Sequence, residues 1–139
     1  MPYLTGVCLA LAVGAFAAWL GLDRDRAFYP TVMVVIASYY ALFAVMAGGG
    51  PVLAVELAFA TLFLFASAAG FRGSLWLLVG ALAGHGVFDA VHGRLIANPG
   101  VPAWWPAFCL AYDVAAAGYL AWRLTARRIP IREIRPVSG

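Results

Sequence analysis

Long apolar stretches alternate with short polar breaks along the whole chain. Five stretches, at about residues 4–22, 30–47, 51–69, 74–91 and 104–122, each come close to the ~17–25 residues that an α-helix needs to cross a bilayer. The breaks carry turn and cap chemistry. The first stretch stops at the charged run Asp23, Arg24, Asp25, Arg26. The second opens near Pro30, a residue suited to a first helical turn, and ends at Gly48, Gly49 and Gly50. Pro51 opens the third, which closes at Phe71, Arg72 and Gly73, and Ser74 is placed to cap the fourth. A polar, proline-containing segment from His92 to Ala103 precedes the fifth, which begins around Trp104 to Pro106. Tryptophans at that position suit an interfacial aromatic belt. The pattern predicts an all-α, polytopic membrane protein: a five-transmembrane-helix bundle over residues 1–123 and a basic tail over 124–139.

Composition agrees with the pattern. Hydrophobic residues make up 65% of the chain and charged residues 11%, against about 25% charged in soluble proteins. The mean hydropathy of +0.92 points the same way. The five stretches use nearly all of the 139 residues, so no soluble domain is expected. Membrane lipids are the expected surroundings, and no nucleic-acid partner is expected. The N-terminus lacks the basic region of a signal peptide, so the first span is expected in the mature protein.

All nine basic residues are arginines, and their placement sets an orientation. With five spans, Arg24, Arg26, Arg72, Arg123, Arg127, Arg128, Arg132 and Arg135 fall on one side and Arg94 alone on the other. The positive-inside rule then puts the N-terminus outside and the C-terminal tail in the cytoplasm. Arginines in such a tail also attract anionic lipid, at ~1 kcal/mol each.

Against this apolar background, Glu56, Asp89 and Asp113 interrupt the third, fourth and fifth spans, and both histidines, His85 and His92, lie beside Asp89. A charged group at mid-membrane costs roughly 2.5–3.5 kcal/mol on insertion scales, so these side chains are expected to face one another rather than lipid. Helix rise puts Glu56 roughly 8 Å deep, His85 roughly 9 Å and Asp113 roughly 10–14 Å, all from the outer side. One shared site in the outer half of the bilayer is the expected arrangement. His85, Asp89 and His92 stand at i, i+4 and i+7, within about 60° of one another on one helix face. Ligands at i and i+4 can share an ion, as in His-x-x-x-His zinc sites. Glu56, His85, Asp89, His92 and Asp113 together form a candidate metal set suited to zinc ahead of iron or manganese. Glu56 and Asp113 double as candidate catalytic carboxylates.

Several weaker features surround this set. Cys109 stands four residues before Asp113 and shares its face, although a small buried hydrophobe is the commoner role for such a cysteine. No disulfide is expected between Cys8 and Cys109. Tyr39 or Tyr40 can present a hydroxyl to the cluster from the second span. Small residues recur at Gly6, Ala10, Gly14 and Ala18 and at Gly80 and Gly84, in stripes that allow close helix packing within the chain or in a homo-oligomer.

The run Gly84-His85-Gly86-Val87-Phe88-Asp89-Ala90-Val91-His92, with Asn98-Pro99, Cys109-x-x-x-Asp113 and Val55-Glu56-Leu57-Ala58-Phe59, resembles a family of small bacterial integral membrane proteins known only as a domain of unknown function. The resemblance covers roughly residues 26–122. Phe88 and Gly93 depart from its pattern, which commonly has Trp before the Asp and a doubled last His. It implies a multi-pass protein of the bacterial inner membrane, implies no activity, and groups Glu56, His85, Asp89, His92 and Asp113 as one set.

Three function classes fit these residues. The first is a membrane-embedded metal-dependent enzyme, a hydrolase or related metalloenzyme acting on a lipid-soluble substrate. The second is a metal-free proton-coupled transporter or small-molecule-binding protein. The third is a structural or interaction subunit in which the polar groups only join helices. No Gly-x-Ser-x-Gly, His-Glu-x-x-His or phosphate-loop signature is present to name a reaction.

Overall fold

A computed structural model describes residues 1–126. Among them are five α-helices: α1 (Pro2–Leu20), α2 (Phe28–Met46), α3 (Pro51–Arg72), α4 (Trp76–Leu95) and α5 (Trp105–Thr125), with a short 3-10 turn at Leu22–Arg24. The part of the basic tail expected from residue 127 onward lies outside the described residues. Helices α1, α2 and α3 are each long and apolar enough to cross a membrane, which suggests a membrane protein. Helices α4 and α5 are as long, at 20 and 21 residues, and less apolar, because the polar cluster sits on them.

Local sequence explains the helix ends. Prolines occupy the first turns of α1, α3 and α5, where a missing N–H costs nothing. Gly21 ends α1 with φ 78°, its N–H reaching the carbonyls of Ala17 and Ala18, so α1 stops at Leu20 rather than at residue 22. Gly48, Gly49 and Gly50 all take positive φ, from 73° to 101°, and reverse the chain between α2 and α3 within a few residues. Ser74 Oγ accepts a 3.3 Å hydrogen bond from the N–H of Trp76 at the start of α4.

Helix α4 is the centre of the molecule. It packs against α5 on one side and α3 on the other and also touches α2, while α1 lies on α5 and α2 on α3. The two consecutive helices α1 and α2 do not pack along their lengths, leaving a groove in front of α5. Met33, Leu78, Leu82 and Leu120 are fully buried in the core. Large side chains such as Phe65, Leu62 and Trp19 are exposed around the outside, an apolar coat far beyond what a water-facing surface carries.

The α1 stripe of small residues is used inside the chain. Gly6, Ala10, Gly14 and Ala17 are buried, with Ala17 replacing the expected Ala18 because α5 crosses on that side. A Cβ on Gly6 would collide with the carbonyl of Phe108, and one on Gly14 would press on the Tyr119 ring. Gly80 and Gly84 on α4 instead face outward, with open space beyond them.

Two arginines fasten the lower end, where α1 leads into α2. The Arg26 guanidinium donates to the carbonyls of Gly70 and Phe71, each at 3.2 Å, and to that of Gly73, covering the open C-terminus of α3. Asp23 is buried, with its Oδ2 2.7 Å from Arg123 Nη2. Both had been placed by the sequence in a charged loop and at the edge of the tail. The longer α5 carries Arg123 within its last turn and brings it to Asp23.

Candidate functional site

Helix α4 lays His85, Asp89 and His92 along one buried stripe, each 1–2% exposed. His92 lies inside the helix, which continues to Leu95. The neighbouring helix α5 approaches at Gly86, with the Leu110 carbonyl and the Cβ of Asp113 each about 3.4–3.5 Å from where a Cβ would stand, an ordinary van der Waals contact. That approach delivers Asp113 to His85. His85 Nδ1 lies 2.6 Å from Asp113 Oδ2 and 3.5 Å from Asp89 Oδ2.

These three residues offer ligand atoms that all lie within 4.8 Å of one another, and all three side chains are buried. Two ligands bound at ~2.1 Å to one tetrahedral ion stand about 3.4 Å apart, so the His85–Asp89 spacing already suits a shared ion, and the His85–Asp113 contact opens by less than ~1 Å to do so. Asp89 Oδ2 and Asp113 Oδ1 are buried with no hydrogen-bond partner. Asp89 Oδ1 accepts a 2.7 Å hydrogen bond from Tyr40 on α2, fixing the orientation of that carboxylate. Phe63 and Phe88 pack on the His85 ring, with centroids 4.7 and 5.9 Å away, and wall the triad with apolar surface.

Glu56 and His92 form a separate pair above this triad. His92 Nε2 is 2.9 Å from Glu56 Oε1, and Asn98 Nδ2 donates to the same oxygen at 2.8 Å and to the Tyr40 carbonyl at 3.1 Å. The Asn98 loop can lie this low because Gly100 packs directly on the Phe43 carbonyl, where any Cβ would collide. Glu56 Oε2 has no partner. A cavity of about 550 Å³ lies above the pair, lined by His92, Asn98, Ile96, Pro99 and Pro102 among others. Tyr40 bridges the two halves, stacking on His92 while its hydroxyl serves Asp89.

The five candidate residues thus all enter one buried polar region, as a triad of His85, Asp89 and Asp113 and a dyad of Glu56 and His92. Tyr40 supplies the hydroxyl, whereas Tyr39 turns away to pack on Phe43 and Trp105. Asn98 is the participant that residue chemistry alone did not single out; its only sequence signal was its place in the motif with Pro99. Cys109 is buried one turn before Asp113 and also lines the groove between α1, α2 and α5. Ser38 bonds the Val35 carbonyl and is exposed, outside the cluster.

No protein-family model, curated protein or solved structure matches this chain.

Proposed function

We propose that this chain is a multi-pass protein of the bacterial inner membrane that crosses the bilayer five times and binds one divalent metal ion, zinc ahead of iron or manganese, through His85, Asp89 and Asp113. The observation that carries the reading is the convergence of an imidazole nitrogen and two carboxylates within 4.8 Å, with two of the carboxylate oxygens buried and unpartnered. With both carboxylates ionised and the imidazole deprotonated for ligation, the triad would carry a charge of −2 in an apolar shell. A divalent cation neutralises that charge and occupies the idle oxygens at once.

The arginine distribution supports an outer N-terminus, which places the Asn98 loop and the cavity above it on the outer side. With that orientation the triad lies in the outer half of the membrane. Metal-dependent chemistry on a lipid-soluble substrate is the activity that best suits such a depth. A bound ion supplies Lewis acidity and a lowered water pKa. The chain's own groups do the rest: Tyr40 holds Asp89 in place, Phe63 and Phe88 exclude water, and the Glu56 carboxylate orients His92 beneath the outer cavity, where an imidazole can exchange a proton.

Thermal unfolding in detergent tests the metal. Zinc added at a hundredfold excess over Kd stabilises a one-site protein by about 2.7 kcal/mol, so the wild type should melt higher with zinc than with chelator and His85→Ala should not respond. If the polar groups serve only to clamp helices, both proteins melt at the same temperature with and without zinc.

A further inference from the structure

The groove between α1, α2 and α5 encloses about 800 Å³ and is lined almost wholly by apolar and aromatic side chains, among them Leu9, Val32, Ile36, Trp105 and Phe108. Four hydroxyls interrupt this lining, and those of Thr5 and Thr31 are spent on the carbonyls of Met1 and Ala27, one turn back at the start of their own helices. Tyr39 and Tyr112 both line the groove, and neither makes a hydrogen bond among the described residues. Tyr112 is only 9% exposed. Tyr39 lies seven residues before the end of α2 at Met46, and Tyr112 seven residues after the start of α5 at Trp105. Both are therefore roughly 10 Å below the upper end of the molecule. A hydroxyl donor left without an acceptor at that depth in hydrocarbon carries a desolvation cost that a ligand oxygen would remove.

We propose that this groove binds an isoprenoid quinone, with ring carbonyl oxygens accepting hydrogen bonds from Tyr39 and Tyr112 and the ring held among Tyr39, Trp105 and Phe108. The chemistry of the lining selects this occupant. Among the described residues the only charged one on the groove is Asp25, at its lower end, so no described cation balances a fatty acid or a phosphate at the depth of the tyrosines. Phospholipid ester carbonyls sit at the interface, above both hydroxyls. A neutral ring with carbonyl acceptors meets both donors and offers flat faces to the aromatic walls. Below the ring, the lining continues from Tyr39 down to Phe28, roughly 16 Å of groove for an apolar tail. The gap between α1 and α2 lets such a molecule enter sideways from the bilayer. This inference rests on the membrane placement and is independent of the metal.

The test is quenching of tryptophan fluorescence in the detergent-purified full chain by a decyl-substituted benzoquinone, since Trp104 and Trp105 border the groove. Decylbenzene, with the same tail and no carbonyl, competes as the control. We expect saturable quenching, weakened about fivefold by Tyr39→Phe and by Tyr112→Phe and about 25-fold by both, at roughly one hydrogen bond each. Val35→Phe, at an exposed position on the groove wall, should crowd the groove without adding a tryptophan and weaken quenching. The proposal is overturned if the wild type is not saturably quenched, if the phenylalanine variants bind as the wild type does, or if decylbenzene or phosphatidylethanolamine displaces the quinone at equal concentration. Retention of the chain in carbonate-washed membranes checks the membrane placement separately.

Discussion

Tyr40 and His92 lie ring on ring, with centroids 3.8 Å apart and planes 15° from parallel, while the Tyr40 hydroxyl donates to Asp89 at 2.7 Å. One side chain of α2 therefore holds a member of the dyad by stacking and a member of the triad by hydrogen bonding. Tyr40→Phe keeps the stack and removes the bond, leaving Asp89 Oδ1 buried without a donor. Stability should fall by about 1–3 kcal/mol. Metal stoichiometry at saturation should be unchanged, while affinity drops at least about tenfold, as for other outer-shell partners. Chemical or thermal unfolding and a zinc titration read the two effects.

Asn98 joins the loop before α5 to both Glu56 and the Tyr40 backbone. Asn98→Ala should destabilise the protein by about 1–3 kcal/mol, because it strips a donor from two buried acceptors. Asn98→Asp should cost more, since it sets a second carboxylate against Glu56 in place of a donor. Unfolding in detergent, with both variants side by side, ranks the two.

Close packing of α1 on α5 depends on Gly6, whose Cβ would meet the Phe108 carbonyl and the Tyr112 backbone nitrogen. Gly6→Ala should lower stability by about 1–3 kcal/mol through forced helix separation. Gly80→Ala and Gly84→Ala meet open space inside a helix and should stabilise the monomer by about 0.5–1 kcal/mol. Loss of an oligomer in the α4 variants, seen by light scattering, would show that this outward stripe joins two copies.

The Asp23–Arg123 pair is the charged contact of the lower end, with the carboxylate fully buried. Removing Arg123 leaves the Asp23 carboxylate buried without its cation. Arg123→Met should therefore destabilise by about 3 kcal/mol or more, and the double change to Asn and Met should recover much of the loss. Melting temperatures of the two variants measure this.

Much of the architecture was legible because a membrane-length helix declares itself in a single run of apolar residues. The ends of α2 and α3 are marked by Gly48 to Gly50 and Pro51, whose backbone preferences act locally. The polar stripe of α4 was legible for the same reason: His85, Asp89 and His92 share a face by helical period alone. What period cannot give is which helix faces which. The division into triad and dyad depends on the packing of α5 on α4, which sets Asp113 against His85, and on Gly100 lowering Asn98 onto Glu56. Asp23 and Arg123 were read as loop and tail charges for the same reason, since only tertiary packing brings the end of α5 beside the α1–α2 turn.

The central claim is that His85, Asp89 and Asp113 hold one metal ion while Glu56 stands outside its coordination sphere. Elemental analysis by mass spectrometry of protein purified without a polyhistidine tag tests it most directly, with His85→Ala, Asp113→Asn and Glu56→Gln in parallel. The account predicts about one zinc, iron or manganese per chain in the wild type and in Glu56→Gln, and loss of that metal in His85→Ala and Asp113→Asn. A wild-type protein without metal, or metal that persists when His85 and Asp113 are replaced, would contradict it.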